Sequence, residues 1–162
     1  MRHFDLRSLR FDGSSETWRV LPVEFDPFLF GGQEYGVDDG IVDLRLDVGR
    51  VGERLTIDAS VEALLHGPCH RCLEDVGLTV RGEGRDVVSH GDSQVDDGDA
   101  EEEYATHFVL AVDRWARDLV AEALPDKLLC RDDCRGLCPI CGANLNEAGD
   151  DHEHATTEEP IR

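Results

Sequence analysis

Two stretches near the middle of the chain alternate apolar and polar residues with a period of two. In residues 41–48 the apolar side chains mostly alternate with charged ones, and in residues 55–63 the alternation is strict. A period of two places all the apolar side chains of a strand on one face. Gly52-Glu53 supplies a turn between the two stretches. The pattern therefore predicts two strands that pair as an antiparallel hairpin with one buried face.

Weaker patterns predict further strands around this hairpin. Residues 17–25 predict a first strand, residues 78–88 supply a third strand after the hairpin, and residues 108–110 return the chain to the core. Residues 4–9 are interpreted as a short helix or an extended arm. Residues 31–40 contain four glycines and are interpreted as a loop.

Apolar residues recur at helical spacing between Asp113 and Pro125. Asp113 is predicted as the N-cap, and Pro125 ends the pattern. The amphipathic stripe predicts a helix that packs on the sheet, and the alternative is an exposed Trp115 that serves as a docking face. The predicted inward face comprises Val112, Trp115, Ala116, Leu119, Val120, Ala123 and Leu124.

The charge of the chain limits its direct partners. Its 36 acidic and 16 basic residues give a formal net charge of -20, and Lys127 is the only lysine. Direct binding to nucleic acid normally uses a cluster of Lys and Arg, which the sequence lacks. Acidic residues concentrate in residues 89–104, predicted as a flexible loop, and in 147–162, predicted as a disordered tail. A basic partner for these blocks, such as a ribosomal protein, is the alternative to plain solvation.

Targeting signals are not evident. Charged residues interrupt the first 13 positions, and the longest apolar run, residues 108–112, is far shorter than the roughly 20 residues that span a bilayer. We therefore expect a cytoplasmic protein, in which paired cysteines indicate metal or redox chemistry rather than disulfides. The chain also lacks a phosphate-binding glycine loop and a nucleophile elbow, so hydrolytic chemistry has no support.

Six cysteines form three closely spaced pairs. Cys138-Pro139-Ile140-Cys141-Gly142 has the form of a zinc knuckle, because proline stiffens the turn and glycine lets backbone amides approach both sulfurs. Two groupings could complete a tetrahedral site. The local one joins the knuckle to Cys130 and Cys134, and we favour it slightly because a short loop costs less entropy to close. The long-range one joins the knuckle to Cys69 and Cys72.

Two other interpretations involve residues near these pairs. His152 and His154 follow the knuckle closely enough to fold back, and imidazole can replace thiolate as a zinc ligand. Cys69-His70-Arg71-Cys72 could instead be a redox pair, with its positive neighbours stabilising a thiolate. Such enzymes place the motif at a helix N-terminus, whereas the residues after Cys72 predict a strand.

These motifs together resemble the YceD family. The resemblance covers most of the chain and is carried by Cys69-x2-Cys72-Leu73, a helix ending at Leu124-Pro125, Cys130-x3-Cys134 and Gly136-Leu137-Cys138-Pro139-x-Cys141-Gly142-x-Asn144-Leu145-Asn146. It implies a cytoplasmic role in the accumulation of 23S ribosomal RNA, with no catalytic activity established for the family. Many members carry a further Cys-x-Cys where this chain has Asp150 and His152.

We predict an α+β fold, with an antiparallel, barrel-like sheet and one packing helix in residues 1–128, a cysteine-rich zinc segment in 129–146, and the acidic tail. We expect a non-enzymatic ribosome biogenesis factor that supports 23S rRNA accumulation or large-subunit assembly through ribosomal or assembly proteins, and contacts RNA only indirectly. The alternatives are a Cys-x-x-Cys redox protein and a direct RNA-binding zinc protein. Structural Zn²⁺ is the expected cofactor, and the candidate ligands are Cys130, Cys134, Cys138, Cys141, Cys69 and Cys72.

Overall fold

The computed structural model describes residues 1–89, 104–149 and 152–154. These residues form nine strands and one α-helix, and Leu6–Ser8 and Asp38–Gly40 form short 3-10 turns. The elements in chain order are β1 (His3–Asp5), β2 (Glu16–Glu24), β3 (Phe28–Phe30), β4 (Gln33–Val37), β5 (Ile41–Val51), β6 (Arg54–Pro68), β7 (Asp75–Val88), β8 (Ala105–Thr106), β9 (Val109–Ala111) and α1 (Val112–Glu122).

Strand β6 is the centre of a six-stranded antiparallel sheet. β7 pairs along one of its edges, from Leu55 opposite Val88 to Pro68 opposite Asp75. β5 and β4 pair with successive parts of the other edge of β6. β2 extends the sheet beyond β5, and β3 extends it beyond β4. The predicted β5–β6 hairpin is confirmed. Because β6 continues beyond the predicted strand to Pro68, it carries the chain directly to Cys69.

One face of this sheet is covered by α1. The inward side chains of β5 and β6 are buried, and Leu44, Leu46 and Ile57 have 0% exposure. The helix approaches β7 so closely that a Cβ on Gly82 would overlap the backbone carbonyl of Leu119. The prediction of an antiparallel sheet with one packing helix is confirmed.

Trp115 belongs to this core. Its side chain is only 2% exposed, and its ring stacks on Tyr104 with the centroids 5.2 Å apart. The alternative of an exposed Trp115 docking face is therefore wrong. Burial of an indole removes more apolar surface from water than burial of most other side chains, which favours the inward orientation.

Three details differ from the sequence-based predictions. The larger sheet does not close among the described residues, so it is barrel-like only in a loose sense. The N-cap position is Ala111 rather than Asp113, because the helix already begins at Val112. Asp113 therefore lies inside the first turn, where its carboxylate accepts a hydrogen bond from Arg2 at 3.2 Å. The predicted loop of residues 31–40 contains strand β4, which forms a hairpin with β3 just before the loop, with Phe28 opposite Tyr35.

The N-terminal segment belongs to a second, three-stranded sheet in the order β1-β9-β8. Residues 4–9, interpreted as a helix or an arm, divide between β1 and the first 3-10 turn. The predicted acidic loop falls almost entirely outside the described residues, as does most of the predicted acidic tail. Within the described part of the chain, no helix combines the length and apolar character needed to cross a membrane.

Candidate metal centres

The first cysteine pair lies in the turn that joins β6 to β7. Cys69 donates its backbone N–H to the carbonyl of Glu74 at 2.8 Å, and Leu73 donates to the carbonyl of Cys69 at 3.0 Å. Leu73 has a φ of 63°, a left-handed conformation that is uncommon for leucine and allows the chain to reverse. The turn therefore holds the side chains of Cys69 and Cys72 at one corner of the sheet.

The segment after α1 brings two more cysteines to the same corner. His70 donates its backbone N–H to the carbonyl of Leu128 at 2.8 Å, which places the chain beside the turn just before Cys130. The guanidinium of Arg71 donates to the carbonyl of Cys134 at 2.7 Å. These contacts join positions separated by about 60 residues in sequence.

The four sulfurs of this corner, the four-thiol cluster, are spaced as in a tetrahedral metal site. Sγ of Cys69 lies 3.8 Å from that of Cys134, and Sγ of Cys72 lies 3.6 Å from that of Cys130. All four sulfurs lie within 4.8 Å of one another. With Zn–S bonds of about 2.3 Å, the sulfurs of a tetrahedral site are about 3.8 Å apart. The cluster therefore fits a metal ion with four thiolate ligands.

Protonation differs among these thiols. Burial raises the pKa of the Cys69 thiol, but hydrogen bonds from backbone N–H groups outweigh burial and lower the pKa to about 6. The backbone of Glu74 lowers the pKa of Cys72, yet burial and the neighbouring thiols outweigh it and raise that pKa to about 12. Four adjacent thiolates repel one another, so full ionisation of the cluster requires a bound cation.

The knuckle forms a second, separate turn. Gly142 donates its backbone N–H to the carbonyl of Cys138 at 2.8 Å, and Cys138 donates to the carbonyl of Ala143 at 2.8 Å. Gly142 adopts a φ of 74°, as the turn requires. Backbone N–H groups of Cys141 and Ile140, followed by the side chain of His152, lower the pKa of Cys138 to about 6.

Two histidines complete the donor set around the knuckle. Nε2 of His154 lies 3.1 Å from Sγ of Cys138, and Nε2 of His152 lies 3.5 Å from Sγ of Cys141. The two Nε2 atoms are 3.0 Å apart, and all four donor atoms lie within 4.8 Å of one another. These residues form the thiol–imidazole cluster, whose two sulfurs and two nitrogens match a common zinc ligand set.

Polar side chains around the four-thiol cluster connect it to the residues that follow the knuckle. Asn146 donates from its amide to Sγ of Cys134 at 3.4 Å, and its amide oxygen accepts the backbone N–H of Arg135 at 2.8 Å. Asn144 donates to Glu74 at 2.7 Å, and the other oxygen of Glu74 accepts from the thiol of Cys72 at 3.5 Å. Such surrounding hydrogen bonds orient metal ligands. Asn144 and Asn146 belong to the motif noted in the sequence, whereas Glu74 carried no sequence signal.

Both cysteine groupings considered from the sequence differ from the observed one. The structure brings Cys130 and Cys134 to Cys69 and Cys72, whereas the knuckle faces His152 and His154. From the sequence, the lower entropy cost of closing a short loop favours the local grouping. That cost is small compared with the stability of a folded domain, because each doubling of loop length adds only about 0.6 kcal/mol.

The position of Cys69 and Cys72 also bears on the redox interpretation. Both sulfurs are buried and face other cysteines, and the turn between them leads into β7 rather than into a helix. The pKa of Cys69 is lowered, but Cys69 is buried among other thiols rather than exposed at a helix N-terminus, where thiol oxidoreductases place their reactive cysteine. Metal coordination therefore fits this corner better than redox chemistry.

Sequence comparisons show which known proteins this chain is similar to. A family model described as "Large ribosomal RNA subunit accumulation protein YceD" matches residues 57–160. An uncharacterized protein of Mycobacterium tuberculosis H37Rv is 33% identical over 131 residues, covering 78% of this chain and 63% of the relative. An uncharacterized protein of Mycobacterium bovis matches to the same extent.

A plant protein is more distantly similar. It is the chloroplastic "Large ribosomal RNA subunit accumulation protein YCED homolog 1" of Arabidopsis thaliana, 27% identical over 139 residues, or 65% of this chain and 42% of that protein. The chain thus spans less than two thirds of the length of these relatives. No solved structure matches the chain.

Proposed function

The chain belongs to the YceD family, and from that membership we propose that it is a non-enzymatic ribosome biogenesis factor that supports 23S rRNA accumulation or large-subunit assembly in the cytoplasm. The observation that carries the proposal is the family match over residues 57–160, a range that includes most of β6, all of β7 and both candidate metal clusters. The description of the family names the large ribosomal RNA subunit and no reaction.

Zinc in a structural role is part of this proposal. Thiolate and imidazole are donors that zinc prefers, and four protein ligands leave no open position for a substrate. In the four-thiol cluster the metal would join the β6–β7 turn to the segment after α1. It would thus stabilise a region with a small apolar core, in which Cys69, Cys72 and Cys134 pack against Val76, Leu129 and Leu137.

The arginines of the exposed face of the larger sheet favour a protein partner over direct RNA binding. Three of them are paired with carboxylates at 2.6–2.7 Å, so they are not available to bind phosphate without breaking an ion pair. The net charge of -20 repels RNA and attracts basic proteins, which include many ribosomal proteins. The pairs are Arg45–Asp47, Arg81–Glu62 and Arg85–Asp58.

The biological role is tested by removing the protein from cells of its source organism. We expect a reduced 23S rRNA level and a smaller large-subunit peak in sucrose gradients, both restored by the wild-type gene. Complementation with Cys134→Ser should fail, whereas complementation with Gln33→Ala, a change at an exposed position on β4, should succeed. Normal 23S rRNA and a normal subunit profile in the deletion strain would refute the proposal.

Direct RNA binding makes a different prediction. A protein that neutralises several phosphates loses affinity steeply as salt rises. We expect the purified protein to show no salt-sensitive binding to 23S rRNA fragments, and to co-purify with basic ribosomal or assembly proteins when the tagged protein is recovered from cells. Tight RNA binding that weakens steeply with salt would replace the protein-mediated role with the direct one.

A further inference from the structure

The two clusters differ in how far apart their ligands lie in the sequence. The four-thiol cluster joins the β6–β7 turn to positions 58 and 65 residues away, so it forms only when the sheet and helix have assembled. All four donors of the thiol–imidazole cluster lie within residues 138–154. Closing this second set therefore requires only a local rearrangement of the chain.

The clusters also differ in access to solvent. In the four-thiol cluster, Cys69, Cys72 and Cys134 are at most 4% exposed, and only Cys130 reaches solvent. Around the knuckle, by contrast, Cys141 is exposed, and both His152 and His154 are only partly buried. A competing chelator must reach the ligands to remove a metal by ligand exchange. The thiol–imidazole cluster offers more of that access, because all its ligands except Cys138 reach solvent, whereas in the four-thiol cluster only Cys130 does.

Among the described residues, few other hydrogen bonds fix the segment that carries the two histidines. Its backbone N–H groups donate locally, from Ala148 to Asn144 at 2.9 Å and from His152 to Gly149 at 3.1 Å. Ala148 is the only apolar residue in the described part of this segment, residues 147–149 and 152–154. Apolar burial therefore adds little, and a metal shared with the knuckle would supply most of the free energy that holds the histidines in place.

We propose that the thiol–imidazole cluster, Cys138, Cys141, His152 and His154, is a second zinc site that fills and empties independently of the four-thiol site. Zinc in this site fastens the segment around His152 and His154 to the knuckle, and loss of zinc releases it. The position of this segment then depends on zinc availability while the sheet, the helix and the four-thiol cluster stay assembled. This proposal does not rest on the ribosomal role, and its failure leaves that role untouched.

Zinc release from the full-length protein tests the independence of the two sites. We expect two zinc ions per chain and two kinetic phases of zinc transfer to a chromogenic chelator. The faster phase should release half of the bound zinc. The double variant His152→Ala/His154→Ala should bind one zinc and lack the faster phase. The control His3→Ala/His66→Ala, at histidines outside both clusters, should behave as the wild type does.

Several outcomes would overturn the proposal. They are one zinc per wild-type chain, release of both ions in one phase, persistence of the faster phase in the His152/His154 variant, or loss of both ions from that variant. Cobalt substitution provides a measurement on the unaltered chain. The first equivalent of Co²⁺ should give the spectrum of a four-thiolate site, and the second should add the bands of mixed thiolate and imidazole ligation. A second equivalent that adds no such bands would also refute the assignment.

Hydrogen exchange tests the structural consequence. Addition of the second zinc equivalent to the one-zinc protein should slow amide exchange around His152 and His154 and leave β5, β6 and β7 unchanged. Unchanged exchange around the histidines, or a change that spreads through the sheet, would contradict a local, independent site.

Discussion

The amide of Asn146 donates a hydrogen bond to the Sγ atom of Cys134 at 3.4 Å. The same side chain accepts hydrogen bonds from the backbone of Arg135 and from the guanidinium of Arg131, each at 2.8 Å. The final asparagine of the Asn-Leu-Asn motif thereby stabilises a thiolate that lies outside the knuckle. Consistent with this contact, the hydrogen bond from Asn146 is the largest contribution that lowers the pKa of Cys134.

Asn146→Asp tests this contact, because the substitution keeps the accepting oxygen and removes the donor to sulfur. We expect the zinc affinity of the four-thiol site to fall by about 10–100-fold, the usual effect of losing a hydrogen bond around a metal site. Competition with a chelator measures the affinity. Gln33→Ala is the control, and equal affinities of Asn146→Asp and the wild type would show that the hydrogen bond does not contribute.

Gly136→Ala tests the approach of the residues just before the knuckle to the β6–β7 turn. Gly136 has a φ of 77°, and an added Cβ would lie 3.1 Å from the carbonyl of Arg71. The control Gly142→Ala has a similar φ of 74° but meets no atom within 4 Å. A left-handed alanine costs about 1–2 kcal/mol in either case. We expect a larger loss of unfolding free energy for Gly136→Ala in urea denaturation, and equal losses would contradict the steric contact.

Gly82→Ala tests the packing of α1 on β7. The added methyl group would overlap the backbone carbonyl of Leu119, which cannot move without shifting the helix. Overpacking of this kind costs about 1–3 kcal/mol. Gly49→Ala on β5 has open space around the added atom and should change the unfolding free energy much less. Equal urea midpoints for the two variants would rule out the close approach.

Metal removal distinguishes the structural and redox interpretations of Cys69 and Cys72. We expect both thiols to resist alkylation at neutral pH until a strong chelator is added, because bound zinc and burial protect them. Chelation should also lower the thermal midpoint, since ligand binding to the folded state contributes to stability. Mass spectrometry of alkylated peptides measures both thiols. Rapid alkylation of Cys69 in the zinc-loaded protein would favour redox chemistry.

The periodic segments of the chain could be predicted from its sequence. The period of two in residues 41–63 and the helical period after Asp113 each depend on which side chains must leave water, and these are local properties. The pairing of the shortest elements escaped prediction. β1 and β9 have three residues each, too few to show a period, and they pair with each other across more than 100 residues.

The sequence by itself determined the hairpin, the helix and the knuckle, and its motifs indicated the family. Only the tertiary structure decided which cysteines meet, because the contacts of Leu128 with His70 and of Cys134 with Arg71 place distant segments side by side. Once the sheet and α1 have assembled, the entropy cost of bringing Cys130 to Cys72 has already been met by folding. The separation of donor atoms in space, rather than their spacing in sequence, therefore defines the two candidate metal sites.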